Sequence, residues 1–143
     1  MTNSKTLSWL LIILSFVGFL DATYLAINHY TGGIVPCTTE GCEIVLSSEY
    51  ATTVGGLPVA LFGVVYYIVV FLFALNYLNS RNRNLLTKIS FLTGAGVLAS
   101  LYFLYLQIYV IEAICLYCLG SATITTIIFI TSTLHLRKAN LAT

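Results

Sequence analysis

Residues 58–78 read PVALFGVVYYIVVFLFALNYL, a run of 21 residues without a charged side chain. A helix that crosses the hydrocarbon core of a membrane needs about 20 predominantly apolar residues. The run therefore predicts a membrane-spanning helix. We expect Pro58 to occupy its first turn, where the missing N–H of proline costs nothing.

Three further long and mostly apolar stretches lie before and after it, at residues 7–28, 85–111 and 113–136. Only Asp21 interrupts the first, and the last is rich in Thr and Ser, whose hydroxyls can bond neighbouring helices inside a bundle. The sequence thus predicts an all-α membrane protein with a single domain over residues 1–143. Its architecture is a four-transmembrane-helix bundle with a long outward loop, 29–57, between the first two helices.

The composition leads to the same class. Of the 143 residues, 59% are hydrophobic and 8% are charged, whereas soluble domains are roughly 45–50% apolar and about 25% charged. Mean hydropathy is +0.96. Six basic and five acidic side chains cannot cover a soluble globule of this size, which excludes a soluble enzyme and a disordered chain. The net charge of +1 also excludes a nucleic-acid binder that relies on a basic patch.

The first span could be compared with a secretory signal peptide, since Lys5 precedes a long apolar run. No small-x-small cleavage site follows that run around Asp21, and the apolar stretch continues to full membrane length. We therefore expect a retained membrane anchor.

The charged residues separate completely into two groups along the chain. All basic residues lie before the first span, between the second span and the first turn of the third, or after the fourth. All acidic residues lie near the end of the first span, in the 29–57 loop, or between the third and fourth spans. The basic residues are Lys5, Arg81, Arg83, Lys88, Arg137 and Lys138, and the acidic ones are Asp21, Glu40, Glu43, Glu49 and Glu112. Because basic loops stay inside, we predict a multi-pass protein of the cell (inner) membrane with both termini cytoplasmic.

Four cysteines form two pairs, both predicted on the outer side of the membrane, where disulfides persist. Cys37 and Cys42 lie in PCTTEGC, residues 36–42, and Cys115 and Cys118 form CLYC at the outer end of the fourth span. Each pair alone allows a structural interpretation, as a loop disulfide or as small buried apolar side chains. A zinc site of four cysteines is disfavoured, because its ligands need a rigid soluble knuckle, and no metal is expected.

The combination of the two pairs favours redox chemistry. A C-x-x-C at a helix start places its first sulfur near unsatisfied N–H groups and the positive end of the helix dipole, which favours the reactive thiolate. The loop pair lies in a segment with Gly32, Gly33 and Gly41, which we expect to be mobile enough to meet both a soluble protein and the membrane pair. Two dithiols on one side of the membrane predict a relay for thiol–disulfide exchange.

A relay needs an electron acceptor. The chain has no G-x-G-x-x-G motif, and His29 and His135 lie at opposite ends of the spans, so we interpret them as interfacial residues rather than haem ligands. The acceptor predicted beside Cys118 is a lipid-soluble molecule, and a quinone satisfies the two-electron stoichiometry.

These residues resemble the vitamin K epoxide reductase (VKOR) family in its short prokaryotic form, over about residues 10–136. The resemblance rests on the two cysteine pairs, on Ser47-Ser48 and on GLPVALFG at 56–63. It implies a four-helix bundle around a quinone site near the outer surface. It also implies transfer of oxidising equivalents from a membrane quinone (ubiquinone, menaquinone or similar) to an exported thioredoxin-like (DsbA-like) protein that makes disulfides in secreted proteins. The chain carries no appended thioredoxin domain, so a separate partner is expected.

The resemblance also implies roles. Cys118 corresponds to the cysteine that reacts with quinone, Cys115 to its disulfide partner, Cys42 to the loop cysteine that exchanges with Cys115, and Cys37 to the one that meets the redox partner. Ser48 corresponds to a loop hydroxyl that helps to hold the substrate site, and it can equally cap a short loop helix.

Two positions depart from the animal members of the family. Val59 and Ala122 stand where those proteins have a quinone-binding Asn and a Tyr. The departures argue against reduction of vitamin K epoxide and leave quinone reduction as the expectation.

Two alternatives remain open from the sequence. A DsbB-type thiol oxidase, on a different four-helix fold, would carry C-x-x-C in its first outer loop, whereas here four residues separate the loop cysteines. A non-enzymatic tetraspan adaptor with structural disulfides is the other alternative.

Overall fold

A computed structural model describes residues 3–38 and 40–142. Within them, four helices are long and apolar enough to cross a membrane, and a short fifth helix lies between the first two. The α-helices are α1 (Ser4–Thr31), α2 (Gly41–Ser47), α3 (Val59–Ser80), α4 (Arg83–Tyr105) and α5 (Leu116–Leu141). The predicted all-α four-helix membrane fold is confirmed.

The helix ends differ from the predicted ones where local backbone geometry intervenes. Pro58 has an extended conformation and precedes α3 rather than lying in its first turn. The third span continues from α4 as a π-helical turn, Leu106–Val110, and Glu112 then adopts a positive φ of 56°. Because the backbone leaves the helical conformation at Glu112, the last helix begins at Leu116, three residues after the predicted position 113.

The segment 29–57, which we predicted as a long loop between the first two membrane helices, contains short helical elements. The helix α1 continues to Thr31, and α2 and a 3₁₀ turn, Glu49–Ala51, follow within the segment. The helix α2 forms because Cys42 and Val45, three residues apart, share a face of the helix that is buried against the bundle.

The bundle buries two apolar clusters at opposite ends. The helix α1 packs against α3 and α5, while α4 packs against α5 and α3. One cluster lies towards the chain termini and includes Leu11, Val70 and Ile128. The second contains Leu25, Val35, Cys42, Val45, Ala113 and Cys115. The outside of the bundle exposes large apolar side chains such as Phe91 and Leu98, as a lipid-facing surface does.

Candidate functional site

The second apolar cluster brings the two cysteine pairs together. Cys37 and Cys42 form a disulfide, with their Cα atoms 6.2 Å apart, whereas Cys115 and Cys118 are free thiols. Cys42 and Cys115 are both fully buried in the cluster, and Cys37 and Cys118 pack against it. The loop pair and the membrane pair are therefore neighbours in the folded protein.

The approach of α2 to the start of α5 depends on Gly41. A Cβ at this position would overlap the carbonyl oxygen of Ile114 and would lie 3.0 Å from its backbone nitrogen. Gly41 is thus a close-packed residue, because only a residue without a Cβ allows this approach to the backbone of Ile114. Tyr117 of α5 forms a second contact with the loop segment, because its hydroxyl donates a hydrogen bond to the Pro36 carbonyl over 3.2 Å. The segment that carries the loop disulfide is held against α5 on both sides of Cys37.

The backbone of Cys115 is anchored by the π-helical turn. Its N–H donates to the Gln107 side-chain oxygen over 2.9 Å, and the Gln107 carbonyl accepts the Ala113 N–H over 3.0 Å. Gln107 is only 3% exposed, so water cannot replace its side-chain oxygen as the acceptor of the Cys115 N–H. Such π-helical turns occur frequently at functional sites, and here the turn fixes the residue that precedes α5.

The environment of Cys115 favours its thiolate. A hydrogen bond from the Cys118 thiol is the main cause that lowers the pKa of Cys115 from 9.0 to about 7. Burial and the Asp21 charge act in the opposite direction, whereas the backbone N–H groups of Cys118 and Tyr117 lower the pKa further. This agrees with the expectation for the first sulfur of a C-x-x-C at a helix N-terminus.

Cys118 lies in the wall of a partly open cavity of about 310 Å³ that is lined by residues of all four long helices and of α2. Ligand pockets typically measure about 300–1,000 Å³ and are mostly apolar with a few polar groups. Phe62, Leu104 and Leu119 contribute to the apolar wall, and Val59 and Ala122 also line the cavity. The cavity has the size and lining expected for a small apolar ring compound.

Ser48 lines the same cavity. Its hydroxyl donates to the Val45 carbonyl over 2.7 Å, and its N–H donates to the same oxygen. Ser48 therefore caps the C-terminus of the short helix α2, and it does not cap the following 3₁₀ turn through its side chain. His29, which we interpreted as an interfacial residue, also contributes to the wall.

Sequence reasoning missed most of the buried polar groups that line the cavity. The Tyr67 hydroxyl donates to the Ser121 carbonyl over 2.9 Å and is 2.8 Å and 3.0 Å from the Ser121 and Thr125 hydroxyls. The Tyr66 hydroxyl and one carboxylate oxygen of Asp21 are buried without a hydrogen-bond partner among the described residues. Of these residues, only Asp21 could have been identified from the sequence, because a carboxyl group inside an apolar span is costly and therefore unusual. The tyrosines look like ordinary apolar-span residues in sequence.

No group of three or more His, Cys, Asp or Glu that could hold a metal ion occurs among residues 3–38 and 40–142. A membrane bundle with two adjoining cysteine pairs beside an apolar cavity defines the class as a membrane-embedded dithiol protein. The family model described as the vitamin K epoxide reductase family matches residues 9–133, and the chain belongs to this family. No individual curated protein matches the chain.

Membership implies the general activity of the family, that of a quinone-linked thiol oxidoreductase. It decides against a DsbB-type oxidase on a different fold. The four apolar helices make the protein a multi-pass membrane protein.

Proposed function

We propose that this protein oxidises an exported thioredoxin-like (DsbA-like) protein and passes the electrons through Cys37–Cys42 and Cys115–Cys118 to a membrane quinone. The quinone is a substrate that leaves as the quinol. The activity supports disulfide formation in exported proteins. The observation that carries the proposal is the placement of Cys118 in the cavity wall while Cys115 shares a buried cluster with Cys42.

The exposure of the loop cysteines supports the order of the relay. Cys37 is partly exposed, whereas Cys42 is fully buried. A thiolate of the reduced partner attacks Cys37, the loop disulfide breaks, and Cys42 leaves as a thiolate. The second thiol of the partner then attacks the mixed disulfide, which releases the oxidised partner and leaves a loop dithiol.

The loop dithiol next reduces the membrane pair. The Cys42 thiolate attacks Cys115 in a Cys115–Cys118 disulfide and releases Cys118. Attack of Cys37 on Cys42 closes the loop disulfide again and frees Cys115. This exchange leaves an oxidised loop pair and a reduced membrane pair.

Oxidation of the membrane pair completes the cycle. The Cys118 thiolate, in the cavity wall, adds to the quinone and forms a bond between its sulfur and the ring. The Cys115 thiolate then attacks the Cys118 sulfur, so that the S–S bond forms as the bond from sulfur to the ring breaks. The ring leaves with the two electrons and, with two protons, becomes the quinol. The pKa of Cys115, near 7, keeps a large thiolate fraction available for this attack at neutral pH. Ser48, which lines the cavity, is proposed to help hold the substrate.

The charge separation along the chain supports an orientation with both termini cytoplasmic and all four cysteines on the outer, periplasmic side. In that orientation the cavity lies near the outer surface of the inner membrane, where an exported partner reaches Cys37.

Quinone reduction by the purified protein, with a reduced thioredoxin-like protein as donor, tests the proposal. Cys118→Ala should abolish turnover. Cys115→Ala should instead leave a Cys118 thiolate that forms a charge-transfer complex with bound quinone, seen as a visible absorbance band that is lost in the double variant. Continued quinone reduction by Cys118→Ala would remove Cys118 from the reaction.

The order of the relay has its own test. Cys42→Ala should accumulate a mixed disulfide between Cys37 and the partner, because the resolving thiol is missing. Cys118→Ala and Cys37→Ala should enrich a Cys42–Cys115 link, identified as a cross-linked peptide pair by mass spectrometry. Near-native turnover with both loop cysteines removed would show that the loop disulfide is only structural.

A further inference from the structure

Asp21 is the only aspartate in the chain, and it lies inside the membrane-spanning helix α1. One of its carboxylate oxygens is buried and has no hydrogen-bond partner among the described residues. Ionisable groups inside membrane spans are costly and mark ion or proton pathways when they face the bundle interior. The position of this carboxyl therefore needs an explanation beyond packing.

The helical repeat directs Asp21 into the cavity. Asp21, Leu25 and His29 follow one another at four-residue spacing, and all three line the cavity, as does Cys118 of α5. No Lys or Arg is among the described residues that line it. Asp21 thus faces the site without a basic partner that would hold it as a structural ion pair.

Several titratable groups face this carboxyl from the surrounding helices. Its charge acts electrostatically on Cys115 and Cys118 at the start of α5, on Tyr117 and on Tyr67 of α3. Tyr66, beside Tyr67, also lines the cavity. The carboxyl is therefore coupled to the reactive thiols themselves.

The reaction requires a proton acceptor at this place. Oxidation of two thiols releases two protons, and reduction of a quinone to its quinol consumes two. The Cys118 thiol donates its hydrogen bond to Cys115, so its proton must leave before the sulfur carries full thiolate charge. A mostly apolar cavity wall provides few groups that can accept a proton.

The other polar groups of the cavity fit this task poorly. The Tyr67 hydroxyl is already engaged with Ser121 and Thr125, and a phenol with an ordinary pKa of about 10 is not ionised at neutral pH. His29 is eight residues from Asp21, which places it about 12 Å farther along the helix axis. Asp21 is the only carboxylic acid among the described residues around the cavity.

We propose that Asp21 is the proton-transfer group of this site: its carboxylate accepts the proton of the Cys118 thiol and then delivers it to an oxygen of the quinone. The carboxylate is regenerated in each turnover. Cys115 and Cys118 lose two electrons and two protons as their S–S bond forms, and the quinone gains both. This inference rests on the proposed function, because it assigns a step of the same reaction.

The test uses the full-length protein with its membrane pair reduced beforehand, mixed with an excess of a short-chain ubiquinone. Asp21→Asn keeps the shape of the side chain but cannot exchange the proton. We expect the single-turnover rate at saturating quinone to fall about 100-fold, since general acid–base catalysis contributes typically 10²–10⁴-fold. The quinone dissociation constant should change by less than about threefold, because the carboxyl acts on the proton rather than on ring binding.

Two matched variants accompany it. Asp21→Glu should recover the rate to within about tenfold, since it restores a carboxyl at a slightly different reach. Glu112→Gln removes an exposed acid of the outer turn and should leave the rate unchanged. Thiol exchange between the partner and the Cys37–Cys42 pair should be unaffected in all three, because no quinone takes part in it.

A second measurement does not depend on any substitution. Because the chain has one aspartate, ¹³C-aspartate labels a single carboxyl in the native protein. Rapid-scan infrared difference spectra during quinone reduction should show a carboxylic-acid C=O band that shifts with the label. The absence of any label-sensitive band would overturn the proposal even if Asp21→Asn failed to fold.

The outcomes separate the two proposals. A native protein that does not reduce quinone overturns the proposed function, and this inference with it. A native protein that reduces quinone, together with an unchanged saturating rate in Asp21→Asn, overturns the role of Asp21 alone. Weaker quinone binding with that rate unchanged would likewise overturn it, by making Asp21 a binding residue.

Discussion

Gly41→Ala perturbs the contact that holds the loop pair against the membrane pair. The added methyl group would overlap the Ile114 carbonyl oxygen and would also lie 3.1 Å from its carbonyl carbon. The atoms it meets belong to the backbone, which cannot turn aside as a flexible side chain can. The helix α2 must therefore move away from residues 113–115, and it carries Cys42 with it.

The required displacement is about 1 Å, because non-bonded heavy atoms reach their optimal separation only at about 3.5–4.0 Å. A misplacement of this size can cost a reaction about 10²-fold in rate. Overpacking in a tight interior costs about 1–3 kcal/mol of unfolding free energy. We expect a value near the lower end here, since α2 lies on the surface of the bundle and can shift outwards.

The assay isolates one exchange step. In a Cys37→Ala/Cys118→Ala background, only Cys42 and Cys115 remain, and diamide oxidation followed by quenching and mass spectrometry measures the rate at which they link. Gly41→Ala should slow this rate about 100-fold. Gly55→Ala is the matched control, because a Cβ at Gly55 meets nothing within 4 Å. Equal rates in the two variants would refute the reasoning that Gly41 positions Cys42.

Three further predictions follow from the site and the topology. The pKa of Cys115 is lowered to about 7. In the native protein with its loop disulfide intact, the Cys115 thiolate absorbance should therefore rise from about one tenth to about nine tenths of its full value between pH 6 and pH 8. Cys118→Ala should move the midpoint upwards towards 9.0, and a native midpoint near 9 would contradict the assignment. Gln107→Leu leaves the buried Cys115 N–H without its acceptor and should lower the unfolding free energy in detergent by about 1–3 kcal/mol. Asn28→Ala, which removes an exposed amide hydrogen bond, should change it by less than about 0.5 kcal/mol. An impermeant maleimide should label reduced Cys37 from outside and Asn82→Cys only after permeabilisation; outside labelling at position 82 would reverse the proposed orientation.

Local patterns in the sequence were sufficient for the membrane fold. Each span is a long, mostly apolar run, and such a run commonly crosses a bilayer as a helix, which satisfies its own backbone hydrogen bonds. The pairing of Cys115 and Cys118 in the C-x-x-C at the start of the last helix could also be predicted, because the two residues are close in sequence. The ends of the helices were less predictable, since Glu112 with its positive φ and the π-helical turn before it have no distinctive local composition.

Only the tertiary structure decided how the site is assembled. The contact of Gly41 with Ile114 and the hydrogen bond from Cys115 to Gln107 join segments that no periodic pattern relates. Tyr67 reaches Ser121 from another helix for the same reason. Apolar periodicity specifies that a helix spans the membrane, but in a bilayer every face of the helix is compatible with the solvent. The rotation of each helix, and hence which polar side chains meet in the cavity, is set by close packing between helices.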